Sequence, residues 1–198
     1  MLPSPCPTGW PMPKIAVCFF PILAGKLYLK TGSWYKRCKD FFFPLLSLIK
    51  SNFKKETLKL ALYYPSSFEI DVLKLIENKY MANENILLPV IEENNRMSFF
   101  PWEKNRVLLV NKFGILEPIK TKFKIPNLIL VPILAFDRNK YRLGYGKGFY
   151  DRYLNKYLKK FSNILTVGVA FSFQKYHKLP IDKNDVKLDF ILTEKGIY

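Results

Sequence analysis

Between Arg142 and Leu154 the chain reads RLGYGKGFYDRYL, setting Gly144, Gly146 and Gly148 at alternate positions among Arg142, Lys147 and Asp151. Glycines without Cβ atoms let a backbone approach phosphate oxygens and aim N–H groups at them. A helix-like segment follows at once, so its free N–H groups and dipole add attraction for an anion. Arg142 offers a planar fork for two phosphate oxygens, and Lys147 a mobile point charge. Asp151 falls in the first helical turn, where a carboxylate could hold Mg²⁺ on a bound triphosphate. The spacing is neither the dinucleotide fingerprint G-x-G-x-x-G nor the P-loop G-x-x-x-x-G-K-[ST]. Taken alone, these residues equally suit a glycine-rich turn and an acid placed to meet a helix dipole.

The elements around this loop follow from hydrophobic periodicity. Phe149 to Phe161 predicts a helix, with Tyr150, Tyr153, Leu154, Tyr157 and Leu158 at helical spacing. Just before the loop, NLILVPILAF is a near-continuous apolar run, as in a strand buried on both faces of a parallel sheet. Phe42, Leu45, Leu46 and Ile49 form a helical stripe, and DVLKLIENKYM a short amphipathic helix. Strands are predicted in LKLALYY, which stops at Pro65, and in NILLPVI, RMSFFPW, RVLLVN, NILTVGVAF and VKLDFILT. Strands alternating with helices predict an α/β domain with a mainly parallel sheet.

Composition limits the chemistry. The formal charge is +16, which favours anionic ligands such as nucleotides, polycarboxylates, nucleic acid or acidic membrane. The cations are spread along the chain rather than gathered in a stripe, so a solvated surface accounts for much of them. Cys6, Cys18 and Cys38 form no CxxC, and His177 is the single histidine, which excludes zinc and iron–sulfur sites. A metal must be held by carboxylates. An odd cysteine count with no framework suits a reducing, cytoplasmic compartment. The proline-rich MLPSPCPTGWPMP and the apolar KIAVCFFPILAG could be read as a secretory signal, but Pro21 interrupts the run. It is also too short to span a membrane. We expect residues 1–25 to be a disordered or atypical leader, and 26–198 to be one α/β domain.

A longer stretch, PNLILVPILAFDRNKYRLGYGKGFYDRYL, resembles the signature of 5-formyltetrahydrofolate cyclo-ligases. Their pattern is a strand, then V-P-x-L-A-F-D, then R-L-G-x-G-x-G-[YF]-Y-D-R. FGILEP upstream is similar to the family's G-I-x-E-P, and LALYYPSSFEIDVLKLI to its Y-x-P…E-[VI]-[DE] segment. GVAFSFQ, LP and NDVKLDFILTEKGI follow in family order, so the resemblance spans roughly Thr57 to the C-terminus.

The resemblance implies a Rossmann-like three-layer α/β/α sandwich. It implies conversion of 5-formyltetrahydrofolate to 5,10-methenyltetrahydrofolate with MgATP, releasing ADP and phosphate. The ATP segment would be Arg142, Leu143, Gly144, Tyr145, Gly146, Lys147, Gly148, Phe149 and Tyr150, with Arg142 and Lys147 supplying position and charge. Tyr145 to Phe149 would also line the folate, together with Tyr64 and Glu69. Asp151 and Asp185 would be the magnesium-site acids, with Asp189 an alternative to Asp185. Family members start with a helix bearing K-x-x-x-R on ATP; here Lys26 and Lys30 are nearest, with lysine in place of arginine, and Lys36 and Arg37 are an alternative. The implied partners are ATP and a folate with or without a polyglutamate tail, with no obligate protein partner. Two other classes compete: a non-enzymatic folate- or nucleotide-binding relative, and a basic RNA-binding protein. The chain carries no RNP1-like run or GxxG clamp to support the latter.

Overall fold

Pro44 stands in the first turn of the first described helix, α1 (Phe43–Asn52), where its missing N–H leaves no bond unmade. The computed structural model describes residues 41–53, 58–66, 69–78, 81 and 85–198. The expected leader, and Lys26, Lys30, Lys36 and Arg37, lie outside them. Leu45 and Ile49 of α1 are buried, as the stripe requires.

Seven strands form the main sheet: β1 (Lys59–Ala61), β2 (Asn85–Ile91), β3 (Met97–Pro101), β6 (Leu128–Pro132), β9 (Leu165–Val169), β10 (Phe190–Thr193) and β11 (Gly196–Ile197). Their order is β11-β10-β9-β6-β1-β2-β3. The two outermost pairings, β2 with β3 and β10 with β11, are antiparallel. The four inner pairings are parallel. Two small antiparallel pairs stand beside the sheet: β4 (Leu108–Val110) with β5 (Leu116–Pro118), and β7 (Ala135–Phe136) with β8 (Arg142–Leu143).

Side chains of successive residues leave a strand on opposite faces, so a sheet covered on both sides needs apolar residues at every position. β6 meets that demand. Leu128 and Leu130 join α1 and the turn Val72–Glu77 in one core, while Ile129 and Val131 join α2 (Phe149–Tyr157) in the other. α2 faces the sheet with Tyr153, Leu154 and Tyr157, and the Tyr153 ring meets Phe99 of β3 edge-on at 4.9 Å. The result is the expected three-layer α/β/α arrangement.

Three expectations are corrected in detail. The apolar run Asn127–Phe136 is two strands rather than one. β6 ends at Pro132, which has no N–H for the ladder, and β7 turns away to pair with β8. The segment after Asp71 is a 3₁₀ helix, Val72–Glu77, started by the Asp71 carboxylate accepting from Leu73 N. The helix after the glycine loop stops at Tyr157, one turn short of Phe161. Among the described residues no helix is long and apolar enough to cross a membrane.

The order of the parallel strands puts the site in place. From β1 the chain moves outward to β2 on one side, and later from β6 to β9 and β10 on the other. Between β1 and β6 the winding reverses, and a crevice opens there at the carboxyl ends of the strands. The segment holding Tyr64 and Glu69 leaves β1 at that end, and the segment leading to the glycine loop leaves β6.

Gly168 of β9 is fixed by packing rather than by dihedral angle. A Cβ there would lie 2.7 Å from Ile133 Cδ1 and 2.8 Å from both Ile191 Cδ1 and Leu188 Cδ1. Gly168→Ala is expected to cost about 1–3 kcal/mol by overpacking. The cost should appear as a lower urea midpoint with an unchanged slope; an unchanged midpoint would mean that the three side chains repack freely.

Candidate active site

A β-hairpin carries the chain from β6 to the glycine loop, and a buried acid holds its turn. Asp137 Oδ1 accepts from Asn139 N at 2.9 Å and Tyr141 N at 3.1 Å. This fixes the register that delivers Arg142 and the buried Leu143 into β8. Gly146 and Gly148 then take positive φ, +81° and +65°, which other residues adopt only with strain. Gly148 is the N-cap of α2. A Cβ on Gly144 or Gly146 would meet nothing within 4 Å, so the backbone here borders open space.

Arg142 does not extend its fork outward. Its side chain is only 4% exposed. Nη2 donates to Asp151 Oδ1 at 2.8 Å, and Nη1 to the carbonyl of Val186 at 3.0 Å. Val186 N donates back to the same Asp151 oxygen at 3.1 Å. One buried cation therefore ties β8, the first turn of α2 and the 182–186 segment into a closed ring of bonds. Asn155 Nδ2 adds a bond to Asn184 O at 2.8 Å, further along α2.

The predicted acids separate by this geometry. Asp151 is half-buried, and both bonds fall on Oδ1. Asp185 precedes Val186, beside the Asp151 ring, and its Oδ2 accepts from Asp182 N at 2.7 Å. Asp189 lies at the amino ends of β9 and β10, away from the crevice. Its Oδ2 accepts both the N–H and the hydroxyl of Thr166, at 2.8 and 2.7 Å. Among the described residues no three His, Cys, Asp or Glu side chains gather as a metal cage. Magnesium held on a nucleotide needs only one or two protein carboxylates, since water and phosphates fill the rest. Asp151, fixed through one oxygen, fits that limited demand.

The other wall comes from β1. Tyr63 is buried and donates its hydroxyl to Ile70 O at 2.9 Å, which closes the segment containing Glu69. Glu69 Oε2 accepts from Ser66 N at 2.8 Å and Ser66 Oγ at 3.0 Å. Burial raises the carboxyl above its ordinary range, opposed by hydrogen bonds from Ser66 and from the Tyr145 hydroxyl. The Tyr145 bond joins the tip of the glycine loop to the β1 segment. The Tyr150 phenol is raised by burial and then by the nearby Glu69 charge, with Arg142 acting in the opposite sense. Tyr150 Oη is buried with no hydrogen-bond partner among the described residues. Glu69, far from the glycine loop in sequence, thus comes to the same region at the crevice as Arg142, Tyr145 and Tyr150.

Lys147 is exposed, with Nζ 5.7 Å from the centre of the Phe113 ring. Phe113, on the turn joining β4 and β5, also lies 5.9 Å from the Phe149 ring. Glu117 of β5 anchors that hairpin by accepting from Ile91 N at 2.8 Å and Asn111 Nδ2 at 2.6 Å. Tyr64 is half-buried beside Tyr63. Tyr63, Phe113 and Arg152 were not singled out by sequence as site residues. Phe113 gives no signal beyond adjacency to a motif, whereas Tyr63 is the first letter of Y-x-P and Arg152 the last letter of the glycine-loop pattern.

Residues 46–194 match the profile of the 5-formyltetrahydrofolate cyclo-ligase family. The chain belongs to that family. A cyclo-ligase of Haemophilus influenzae is 32% identical over 147 residues, covering 71% of this chain and 78% of the relative. A probable cyclo-ligase of Schizosaccharomyces pombe is 34% identical over 144 residues, covering 65% of this chain and 71% of the relative. The NMR structure of Aquifex aeolicus 5,10-methenyltetrahydrofolate synthetase superposes with a TM-score of 0.69 at 32% identity, covering 93% of this chain and 91% of that one. The α/β fold derived above is thus the fold of solved cyclo-ligase relatives.

Two measurements probe the cyclo-ligase site without a ligand. Arg142→Leu leaves Asp151 and the Val186 carbonyl without their cation, and is expected to cost about 3 kcal/mol. A chemical denaturation midpoint equal to wild type would show that the ring is not under tension from that loss. For Glu69 the raised carboxyl sets the sign. The protonated form is favoured by the fold, so its stabilising contribution is full below the unfolded pKa and is lost as pH rises through the folded one. Glu69→Gln should therefore raise the thermal midpoint near neutral pH, by up to about 4 °C. The gain should vanish on acidification below the carboxylate range; a gain that persists there would contradict the assignment.

Proposed function

We propose that this chain converts 5-formyltetrahydrofolate to 5,10-methenyltetrahydrofolate in an ATP- and Mg²⁺-dependent reaction that releases ADP and phosphate. The observation that carries this reading is the meeting, at one crevice, of the two cyclo-ligase segments that lie far apart in sequence. They are the Tyr64–Glu69 segment from β1 and the glycine loop from β6.

The chemistry demands positioning and charge more than a protein nucleophile. The formyl oxygen of the folate takes the γ-phosphoryl group and ADP leaves. N10 then bonds to the activated carbon, loses its proton, and phosphate departs with the former formyl oxygen. Magnesium, when bound, neutralises phosphate charge as it builds on the transferring group.

The protein's part is binding and orientation. The open backbone at Gly144 and Gly146 leaves room for phosphates close to main-chain N–H groups. Lys147, exposed beside the loop, supplies a mobile positive charge. Asp151 and Asp185 are the acids we assign to the metal. Arg142 acts from behind, holding Asp151 at a fixed angle rather than gripping phosphate itself. Glu69 suits the amino and ring N–H donors of a pterin, which a carboxylate meets as a paired acceptor. Tyr150 Oη, buried with its hydrogen-bonding capacity unmet among the described residues, offers a donor at the same place. The field of a +16 chain would draw in both ATP and a folate polyanionic tail.

The purified chain with MgATP and 5-formyltetrahydrofolate should accumulate a methenyl product, followed by its near-ultraviolet absorbance. Absence of turnover by folded protein across a range of ATP concentrations would overturn the proposal. Asp151→Asn keeps an acceptor for Arg142 and Val186, so its fold should survive while turnover falls about a hundredfold or more. A rate equal to wild type would remove Asp151 from the metal.

A further inference from the structure

Arg152 closes the motif, and neither the fold nor the proposed chemistry has yet used it. Its guanidinium lies 5.4 Å from the centre of the Phe149 ring. Nε and Nη2 donate to the carbonyl of Asn95 at 3.1 and 2.9 Å. Nη2 also donates to the carbonyl of Lys147, inside the glycine loop, at 2.8 Å. Asn95 sits in the turn between β2 and β3, where Asn94 and Asn95 both take φ of 56°. Nη1 lies 2.9 Å from the point where a Cβ on Gly148 would stand. The main chain of Arg152 is tied to the same loop, since its N–H donates to Gly148 O at 3.1 Å.

A trans peptide points its C=O and N–H in opposite directions. Holding the Lys147 carbonyl toward Arg152 therefore holds the Gly148 N–H the other way. Glycine at 148 makes that peptide unit easy to flip, because both hands of φ are open to it. A flipped unit would present a carbonyl, with its partial negative charge, where a phosphate would otherwise meet an N–H. We propose that Arg152 is a positioning residue. It pins the Lys147–Gly148 peptide against the β2–β3 turn, so that the glycine loop meets the nucleotide with its N–H groups forward. Gly148 is small for a second reason, to leave room for the guanidinium. This inference rests on the reading of the loop as the ATP segment.

The test uses the full chain with Arg152→Ala and Arg152→Lys and two readouts. A lysine-specific protease acting on native protein reports opening of the Lys147–Gly148 bond, followed by mass spectrometry. Steady-state assays report KM for MgATP and for 5-formyltetrahydrofolate separately. In Arg152→Ala, cleavage should accelerate and KM for MgATP should rise, each about tenfold, with a smaller rise in the folate KM and the thermal midpoint little changed. Arg152→Lys keeps the charge but only one donor centre, so it should recover part of each effect. Unchanged cleavage and KM would overturn the proposal. A higher KM without faster cleavage would also overturn it, because the guanidinium would then act on the nucleotide directly. Equal losses for both substrates with a lower midpoint would reduce Arg152 to general stability. If Arg152→Ala fails to fold, Arg152→Lys carries both readouts. Should wild type prove inactive, the protease experiment still decides whether Arg152 holds the loop.

Discussion

The buried pair between Arg142 and Asp151 is the contact on which the site's geometry depends. A guanidinium removed from water carries a desolvation cost that one ion pair does not always offset. Here the cation also reaches the Val186 carbonyl, and Asp151 takes the Val186 N–H, so polar groups around the pair satisfy one another. Three segments meet there: β8, the first turn of α2 and the 182–186 loop. Loss of the pair would loosen the glycine loop from both sides, because β8 leads into it and α2 follows it. Specificity of arrangement, more than added stability, is the physical return on such a pair.

The sheet supplies the frame for that contact. Alternation along β6 sends Leu128 and Leu130 to one layer and Ile129 and Val131 to the other, which locks its register against slippage. With the central strand fixed, the reversal of winding between β1 and β6 has only one location. Two loops that share no sequence proximity are then forced to face each other, which brings Tyr145 close enough to Glu69 to oppose the rise of its carboxyl.

Much of this was legible in sequence because it follows from periodicity. The double-sided strand, the α1 stripe and the amphipathic face of α2 are written in spacing, and spacing survives folding. Pro132 shows where that language fails. An apolar run states that residues are buried, not that they remain in one ladder, and a missing N–H divided NLILVPILAF into strands of two different sheets. Arg142 shows a second limit. Its residue type fits phosphate or carboxylate equally, and the choice depends on Asp151 standing in the first turn of α2, within reach of β8. Asp189 looked interchangeable with Asp185 along the chain, yet Thr166 claims it at the far end of the sheet. No feature of the local sequence distinguishes those two acids. Glu117 and Asp137, read only as motif letters, act as anchors that bind backbone N–H groups.

If the crevice binds the ligands of the proposed function, the Tyr150 hydroxyl would give it a preference that contact area alone would not. A buried donor left without an acceptor costs about 1–3 kcal/mol. A ligand that brings an acceptor to that spot removes the cost as well as making a bond. One that brings a hydrocarbon edge leaves the cost in place and seals it from solvent. In the proposed function, a ligand lacking that acceptor would be rejected by what it lacks, because the hydroxyl has no partner among the described residues.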